Sequence, residues 1–319
     1  MGRQVILSAV APRLENEFSI GICAADHATK LKELLEIINQ EPYPAGFVLK
    51  SIIIVGSGLD PEAGAVLRIL AERNANLILV EEPVRRGKAE AINRIMKECT
   101  ADFLVLVNSD AQPGRGAIAQ LLSVIAGDSN VGMVSASPVL GNAPGITGAV
   151  LRLMWGAHNE CLLTLNHEGL NNHCCDELIV LRSKAIRKLP HDTINDGAFL
   201  AGSAYREGYS IQFCEVSHVR IDVPRRISDV LKQRRRILFG HAQIIRSVGQ
   251  TPRTLESMVF SSPKLGLSIL VRTLARSPRL ILVLPVAVVG ELMSAMGAAF
   301  DTVTATKNHV PWDRVALRD

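Results

Sequence analysis

The chain has 319 residues, enough for one large domain with an appendage or for two domains. Hydrophobic residues make up 48% and charged residues 21%, which excludes a globally disordered chain. The net charge of +4 is too small to indicate a nucleic-acid partner, and the six cysteines form no C-x-x-C pair, which favours reduced thiols facing a cytosolic environment.

Short apolar runs alternate with helical periodicity through the first third of the chain. The runs predict strands at 18–23, 51–55, 77–80 and 102–107, and the periodic stretches predict helices at 28–40, 61–73 and 88–99. Unbroken apolar strands between helices are typical of a parallel sheet that is covered on both faces. The sequence therefore predicts an α/β fold with a mainly parallel, Rossmann-like sheet flanked by helices.

Ligands of such sheets bind beyond the carboxyl ends of the strands. The loop after the second strand holds Gly56-Ser57-Gly58, which lets a nucleotide approach closely or simply makes a turn. Lys88, preceded by two arginines, stands where a helix begins, a position that favours phosphate. Asp110 follows the fourth strand and offers hard oxygen ligands to a divalent metal, although a lone aspartate there also serves as a helix cap.

The middle of the chain is less regular. Residues 142–172 predict a helix that is apolar nearly all round, with Trp155 and His158 on one face; it is either buried, membrane-facing or part of an acceptor site. Asp176 and Glu177 come at the start of a further predicted strand and are candidates for the acceptor side. The histidines and cysteines just before them match no common zinc pattern, which favours local packing.

The last 72 residues change in character. Residues 280–300 are apolar apart from Glu291, and Pro285 interrupts them. About 20 apolar residues can cross a membrane, but a buried acid is costly there, so an interfacial or re-entrant segment and a buried helix remain alternatives. Arginines just before this run suit anionic lipid on the cytoplasmic face. We therefore divide the chain into a domain at 18–247 and a membrane-associated segment at 248–319.

Four motifs follow one another along the chain: G-K-x-x-A-x-N at 87–93, N-S-D at 108–110, Asn195-Asp196, and Gln233-Arg-Arg-Arg236. Arginine forks suit bidentate phosphate binding, although an isolated arginine run is usually a solvated helix face. In this order the motifs resemble those of family 2 glycosyltransferases of the GT-A fold, and the resemblance covers residues 18–241.

The resemblance implies a nucleotide-diphosphate sugar as donor, inversion at the anomeric carbon and Mg or Mn as cofactor. It implies donor contacts at Ala25, Ser57, Lys88, Asn108, Gln233, Arg234 and Arg236. It also implies a metal ligand at Asp110, with help from Asn108, and a catalytic base at Asp196. With the apolar second half, these expectations describe an enzyme on the cytoplasmic face of the cell membrane. Its acceptor is a lipid, a lipid-linked sugar or a polysaccharide, and protein partners stay open.

Three positions depart from the family pattern. Asn108 replaces an acid of the family's metal-binding motif, and Ile237 replaces a tryptophan. The second acid of the family's Glu-Asp pair aligns with Gly197. The losses at Asn108 and Gly197 favour one alternative, an impaired relative that acts as a binding or scaffold subunit. A second alternative is a nucleotidyltransferase, which shares a parallel sheet and a nucleotide site but would release pyrophosphate.

Overall fold

The computed structural model describes residues 16–24, 28–304 and 309. Within them, eight strands form one mixed sheet: β1 (Asn16–Ala24), β2 (Phe47–Ser57), β3 (Leu77–Glu82), β4 (Phe103–Asn108), β5 (Gln112–Pro113), β6 (Val131–Leu140), β7 (Leu178–Arg182) and β8 (Ser210–Ile221). Their order across the sheet is β3-β2-β1-β4-β7-β6-β8-β5.

The four strands predicted first form the parallel half of the sheet. β1 pairs in parallel with β2 and β4, and β2 pairs in parallel with β3, which confirms the predicted parallel pairing. The other half is mixed, because β7 runs antiparallel to both β4 and β6, while β6 and β8 are parallel. The carboxyl ends of β1, β2, β3 and β4 therefore lie along one edge of the sheet, as the sequence predicts.

Helices cover both faces of the sheet and form the C-terminal part: α1 (Ala28–Gln40), α2 (Pro61–Arg73), α3 (Lys88–Glu98), α4 (Ala117–Gly127), α5 (Gly145–His167), α6 (Asp196–Arg206), α7 (Ile227–Val248), α8 (Leu255–Ser261), α9 (Pro263–Arg276) and α10 (Leu284–Thr304). The predicted bounds of α1 and α2 are confirmed. At α2 the Asp60 side chain accepts a hydrogen bond from the Ala63 amide and Pro61 takes the first helical position, so the start is set locally.

Two apolar cores lie on opposite faces of the sheet. One packs α1 and α4 against the sheet through fully buried side chains such as Ile20, Leu34 and Leu121. The other packs α3 and α6 against the opposite face, with Ile92 and Leu200 at its centre. Because the strands bury side chains on both faces, they appear as continuous apolar runs in the sequence.

The C-terminal helix α10 packs along α7 and leaves most of its apolar side chains exposed. Pro278–Thr304 is the one stretch of the described residues that is long and apolar enough to cross a membrane. Pro285, which interrupts the apolar run in the sequence, occupies the first turn of α10, where proline is tolerated. Glu291 points to the protein and not to lipid, since both of its carboxylate oxygens accept bonds from the Arg234 guanidinium.

Candidate active site

The end of β2 carries a small polar pair. Ser57 is the last residue of the strand, and its buried hydroxyl donates a 2.8 Å hydrogen bond to the carboxylate of Glu82, which ends β3. The neighbouring Gly58 has a φ of 61°, which favours glycine and keeps bulk away from this edge. The pair places a carboxylate beside Ser57, at the position where the resemblance leads us to expect contact with base and ribose. Glu82 was missed in the sequence, although an acid directly after a strand at this edge is a usable signal.

Lys88 is the centre of the site. It is the first residue of α3, preceded by Gly87 with a φ of 106°. Its ammonium lies 2.9 Å from a carboxylate oxygen of Asp196 and 3.2 Å from one of Asp176. Burial acts to lower the pKa of Lys88, but the charges of the two carboxylates outweigh burial and raise the pKa well above its usual value. Lys88 is therefore a permanent cation between two acids.

The two acids differ in environment. Asp176 stands just before β7, and 34% of its side chain is exposed. Asp196 opens α6, and only 10% of its side chain is exposed. Burial raises the pKa of Asp196, whereas the charge and hydrogen bond of Lys88 overcome burial at Asp176 and lower its pKa. The structure thus brings the predicted base, the predicted donor lysine and one predicted acceptor-side acid into a single cluster.

Asn108 and Glu177 form a second pair at the end of β4. The Asn108 side-chain amide donates a 2.6 Å hydrogen bond to Glu177, which leaves the amide oxygen of Asn108 to face elsewhere. Burial raises the pKa of Glu177 to about 8, and the charges of Asp176 and Asp110 contribute. Asp110 itself is exposed, two residues beyond Asn108. The side chains at this corner therefore present oxygen atoms, the kind of ligand that a hard cation prefers.

A divalent metal fits this corner on the chemistry of its donors. The described residues contain no group of three or more His, Cys, Asp or Glu side chains that could hold a metal alone. Mg²⁺ is usually held by one or two carboxylates, with waters and substrate phosphates as its other ligands. Asp110 and the amide oxygen of Asn108 match that requirement, with Glu177 orienting the amide.

The arginine run of α7 divides between two directions. The Arg234 guanidinium binds Glu256 of α8 at 2.7 Å and Glu291 of α10 at 2.6 Å. Arg235 binds Asp301, also on α10, at 2.5 Å. Arg234, one of the two arginines expected to contact the donor, and its neighbour Arg235 thus hold C-terminal helices in place.

Arg236 faces the other way and is close enough for its charge to interact with Asp176 and Asp196. Its Nε also donates to the carbonyl of His309 at 3.2 Å. Gln233 lies half-buried one turn earlier on the same helix. Ala25, the remaining predicted donor contact, lies outside the described residues.

Trp155 and His158 of α5 begin a row of rings that contact one another edge to face. Ring centroids are 5.2 Å apart between Trp155 and His158, 5.8 Å between His158 and His173, and 5.2 Å between His173 and His241. Burial lowers the pKa of all three histidines, to about 4 for His241. The imidazoles are therefore neutral at pH 7 and act as an aromatic wall beside the acids that precede β7.

A sequence profile of the family described as "Glycosyltransferase like family 2" matches residues 15–240. The chain belongs to this family. The match spans the whole sheet and ends within α7, so it includes the lysine cluster, the Asn108–Asp110 corner and Arg236. The resemblance found from the four motifs is confirmed.

Curated relatives of this glycosyltransferase are poly-beta-1,6-N-acetyl-D-glucosamine synthases. The protein from Staphylococcus aureus is 22% identical over 210 residues, which cover 64% of this chain and 51% of the relative. The protein from Staphylococcus epidermidis is 20% identical over 257 residues, covering 79% of this chain and 61% of the relative. The chain thus spans about half the length of the S. aureus relative.

Among solved structures, the chain is similar to a mannosyltransferase from Pyrobaculum calidifontis in complex with GDP-Man and Mn²⁺. The TM-score is 0.62 at 19% identity, and the alignment covers 93% of this chain and 90% of that chain. At this identity the similarity shows the fold, and it confirms the predicted GT-A type. It extends beyond the family profile into the C-terminal helices.

Proposed function

We propose that this family 2 glycosyltransferase transfers a sugar, with inversion, from a nucleotide-diphosphate donor to a polysaccharide, lipid-linked or lipid acceptor at a membrane. The observation that carries the proposal is the cluster of Lys88, Asp176 and Asp196, with Arg236 close by, at the carboxyl edge of the parallel strands. That edge is where ligands of such sheets bind, and the cluster combines fixed cations for phosphate with carboxylates for proton transfer.

On the donor side we assign Ser57 to the nucleoside and Lys88, Gln233 and Arg236 to the diphosphate, and the donor contact expected at Ala25 remains a prediction from the sequence. Lys88 and Arg236 carry charges that burial does not remove and that oppose the charge developing on the departing diphosphate. Arg234 retains only an indirect role in this proposal, because its guanidinium is engaged with Glu256 and Glu291.

Asp110 and Asn108 would hold Mg²⁺ or Mn²⁺. When bound, the metal neutralises charge on the leaving nucleoside diphosphate. The mannosyltransferase with a similar fold was solved with Mn²⁺, which supports a divalent ion without choosing between the two. Glu177 positions Asn108 through its 2.6 Å hydrogen bond.

The acceptor side is proposed to lie near Asp176 and the aromatic wall that begins at Trp155 and His158. A carboxylate of the Lys88 cluster removes the acceptor proton, and the sequence hypothesis gives this role to Asp196. The curated relatives are named for synthesis of a polysaccharide, which supports a glycan as acceptor. The nucleotidyltransferase and the inactive scaffold are not favoured, because the chain retains the acids, lysine and arginine of a transferase site.

The first experiment tests the donor site by thermal unfolding with guanosine or uridine diphosphate. With Mn²⁺, a nucleotide at 100 times its Kd is expected to raise the Tm by roughly 5 °C, and Asp110→Ala is expected to abolish that shift. Asp102→Ala is the matched control, because Asp102 is also exposed but precedes β4 at the opposite end of the strand. Equal stabilisation in excess chelator would contradict the metal assignment.

We further propose that α10 attaches the enzyme to the cytoplasmic face of the membrane. Met296 and Phe300 are 73% and 60% exposed on this helix. Proteolysis of right-side-out and of inside-out membrane vesicles shows on which face of the membrane the catalytic domain lies. Cleavage of that domain in right-side-out vesicles would contradict attachment to the cytoplasmic face.

Replacing Met296 and Phe300 together with glutamate should lower binding to phosphatidylglycerol-containing vesicles at least tenfold, because a charge within the hydrocarbon costs about 2.5–3.5 kcal/mol. Ile69→Glu with Val216→Glu is the control, since these side chains are 47% and 65% exposed on the sheet domain. Unchanged sedimentation of the α10 variant with vesicles would show that the attachment lies elsewhere.

A further inference from the structure

The position that lacks the expected acid is filled in space by another residue. Gly197 is buried in the first turn of α6. A Cβ atom added there would lie 2.4 Å from the Cβ of Asp176 and 3.2 Å from its carboxyl carbon, with the Cys174 sulfur also at 3.2 Å. The missing side chain at 197 and the Asp176 side chain thus compete for one volume. Glycine at 197 leaves that volume to Asp176.

We infer that Asp176, and not a residue of α6, is the catalytic base that accepts the acceptor's hydroxyl proton. This inference rests on the proposed function and names the residue that performs its central step. The carboxylate lost from the helix is supplied by the segment that leads into β7, so the site keeps an acid where the family pattern has one. The substitutions at Asn108 and Gly197 therefore do not indicate that the site has lost its activity.

Access separates Asp176 from Asp196, the other acid on Lys88. A base must reach its proton within hydrogen-bond distance, so part of its carboxylate has to face the substrate. Asp176 exposes 34% of its side chain, whereas Asp196 exposes 10% and binds the lysine more closely. Asp196 therefore acts as a positioning residue that fixes Lys88, and Lys88 in turn holds Asp176 ionised and in place.

The proposed step balances without a further reactant. The acceptor oxygen forms a bond to the anomeric carbon from the face opposite the leaving group. The bond between that carbon and the diphosphate oxygen breaks, and its electron pair leaves with the nucleoside diphosphate. The hydroxyl proton passes to a carboxylate oxygen of Asp176 and then to water. Lys88, held between the two acids, keeps the carboxylate charged until the proton arrives.

The test compares Asp176→Asn with Asp196→Asn in the full chain, measuring nucleoside diphosphate release from a panel of guanosine and uridine diphosphate sugars with glycan acceptors. Each variant removes one carboxylate from Lys88, so the two are matched. Asp176→Asn should lower turnover about 10²–10⁴-fold, as expected for loss of a base, and Asp196→Asn less than tenfold. Stabilisation by the nucleoside diphosphate should persist in both. An equal or larger loss in Asp196→Asn would return the base to Asp196.

Exchanging the aspartate and the glycine between positions 176 and 197 separates a catalytic role of the carboxylate from a purely structural one. Gly197→Asp alone should lower the rate, because its Cβ meets that of Asp176. Asp176→Gly combined with Gly197→Asp should recover at least tenfold over Asp176→Gly alone. A double variant no better than the single one would overturn the inference. If wild type releases no nucleoside diphosphate, the proposed function fails and the inference with it; if wild type and Asp176→Asn are equally active, only the inference fails.

Discussion

Arg234→Met is expected to lower the free energy of unfolding by about 3 kcal/mol, measured by urea denaturation at pH 7. Removing one partner of a buried ion pair costs about 3–5 kcal/mol, because the other charge is left unpaired. The lower value applies here, since the Glu256 and Glu291 side chains keep 35% and 22% of their surface exposed. Methionine retains the bulk of the arginine stem, so the loss reports the charge and its hydrogen bonds.

The pH dependence of this effect follows from Glu256. Burial would raise its pKa, but Arg234 outweighs burial and lowers the pKa from 4.5 to about 2. A lowered pKa in the folded state stabilises the protein above pH 4.5, and the contribution is lost as the pH falls toward 2. The difference between wild type and Arg234→Met should therefore shrink below about pH 4.

Lys232→Met is the matched control on the same helix. Its side chain is 71% exposed, and its ammonium pairs with Asp229 three residues earlier, a kind of pair worth about 0.5 kcal/mol or less. An unfolding midpoint of Arg234→Met equal to that of Lys232→Met would contradict the view that Arg234 fastens α8 and α10 to α7.

Arg236→Lys is expected to lower turnover at least tenfold while leaving stability nearly unchanged. Lysine keeps the charge near Asp176 and Asp196 but loses the planar fork that binds phosphate oxygens in pairs. Initial rates of nucleoside diphosphate release at saturating donor measure the effect. The lost interaction stabilises the charge that develops on the leaving group in the transition state. The decrease should therefore appear in kcat as well as in kcat/KM.

Arg235→Lys controls for the substitution itself, because Arg235 is adjacent in sequence but binds Asp301 of α10. It should retain most of the wild-type rate. Wild-type turnover in Arg236→Lys would mean that the arginine run serves only to attach helices, as Arg234 and Arg235 do.

Local signals in the sequence were sufficient for the first half of the fold and insufficient for the second. α2 begins at a capped proline and β4 is an unbroken apolar run, so both were predicted from their own residues. β6 and β8 were not predicted, because serines and a proline interrupt the apolar residues of one, and polar and charged residues interrupt those of the other. Their pairing depends on contacts between distant parts of the chain.

The candidate site was likewise predicted only in part from the sequence. The rule that loops at strand ends converge placed Lys88 and Asn108 on one edge of the sheet, but it could not find their partners across the fold. The arginines of α7 did carry an unused signal. Successive residues turn by about 100° on a helix, so Arg234 and Arg236 start about 200° apart on α7, which agrees with Arg234 binding Glu291 while Arg236 lies near Asp176. The exchange between Gly197 and Asp176 required coordinates, since 21 positions separate the two in sequence.

The most direct test of sugar transfer is to identify the nucleotide product of the purified full chain. The protein would be incubated with Mn²⁺ and either nucleotide-diphosphate sugars plus glycan acceptors, or sugar phosphates plus nucleoside triphosphates, and the products separated by chromatography. We expect nucleoside diphosphate and an elongated or glycosylated acceptor from the first mixture only. Pyrophosphate from the second mixture, or no product from the first, would contradict the proposed glycosyltransferase activity.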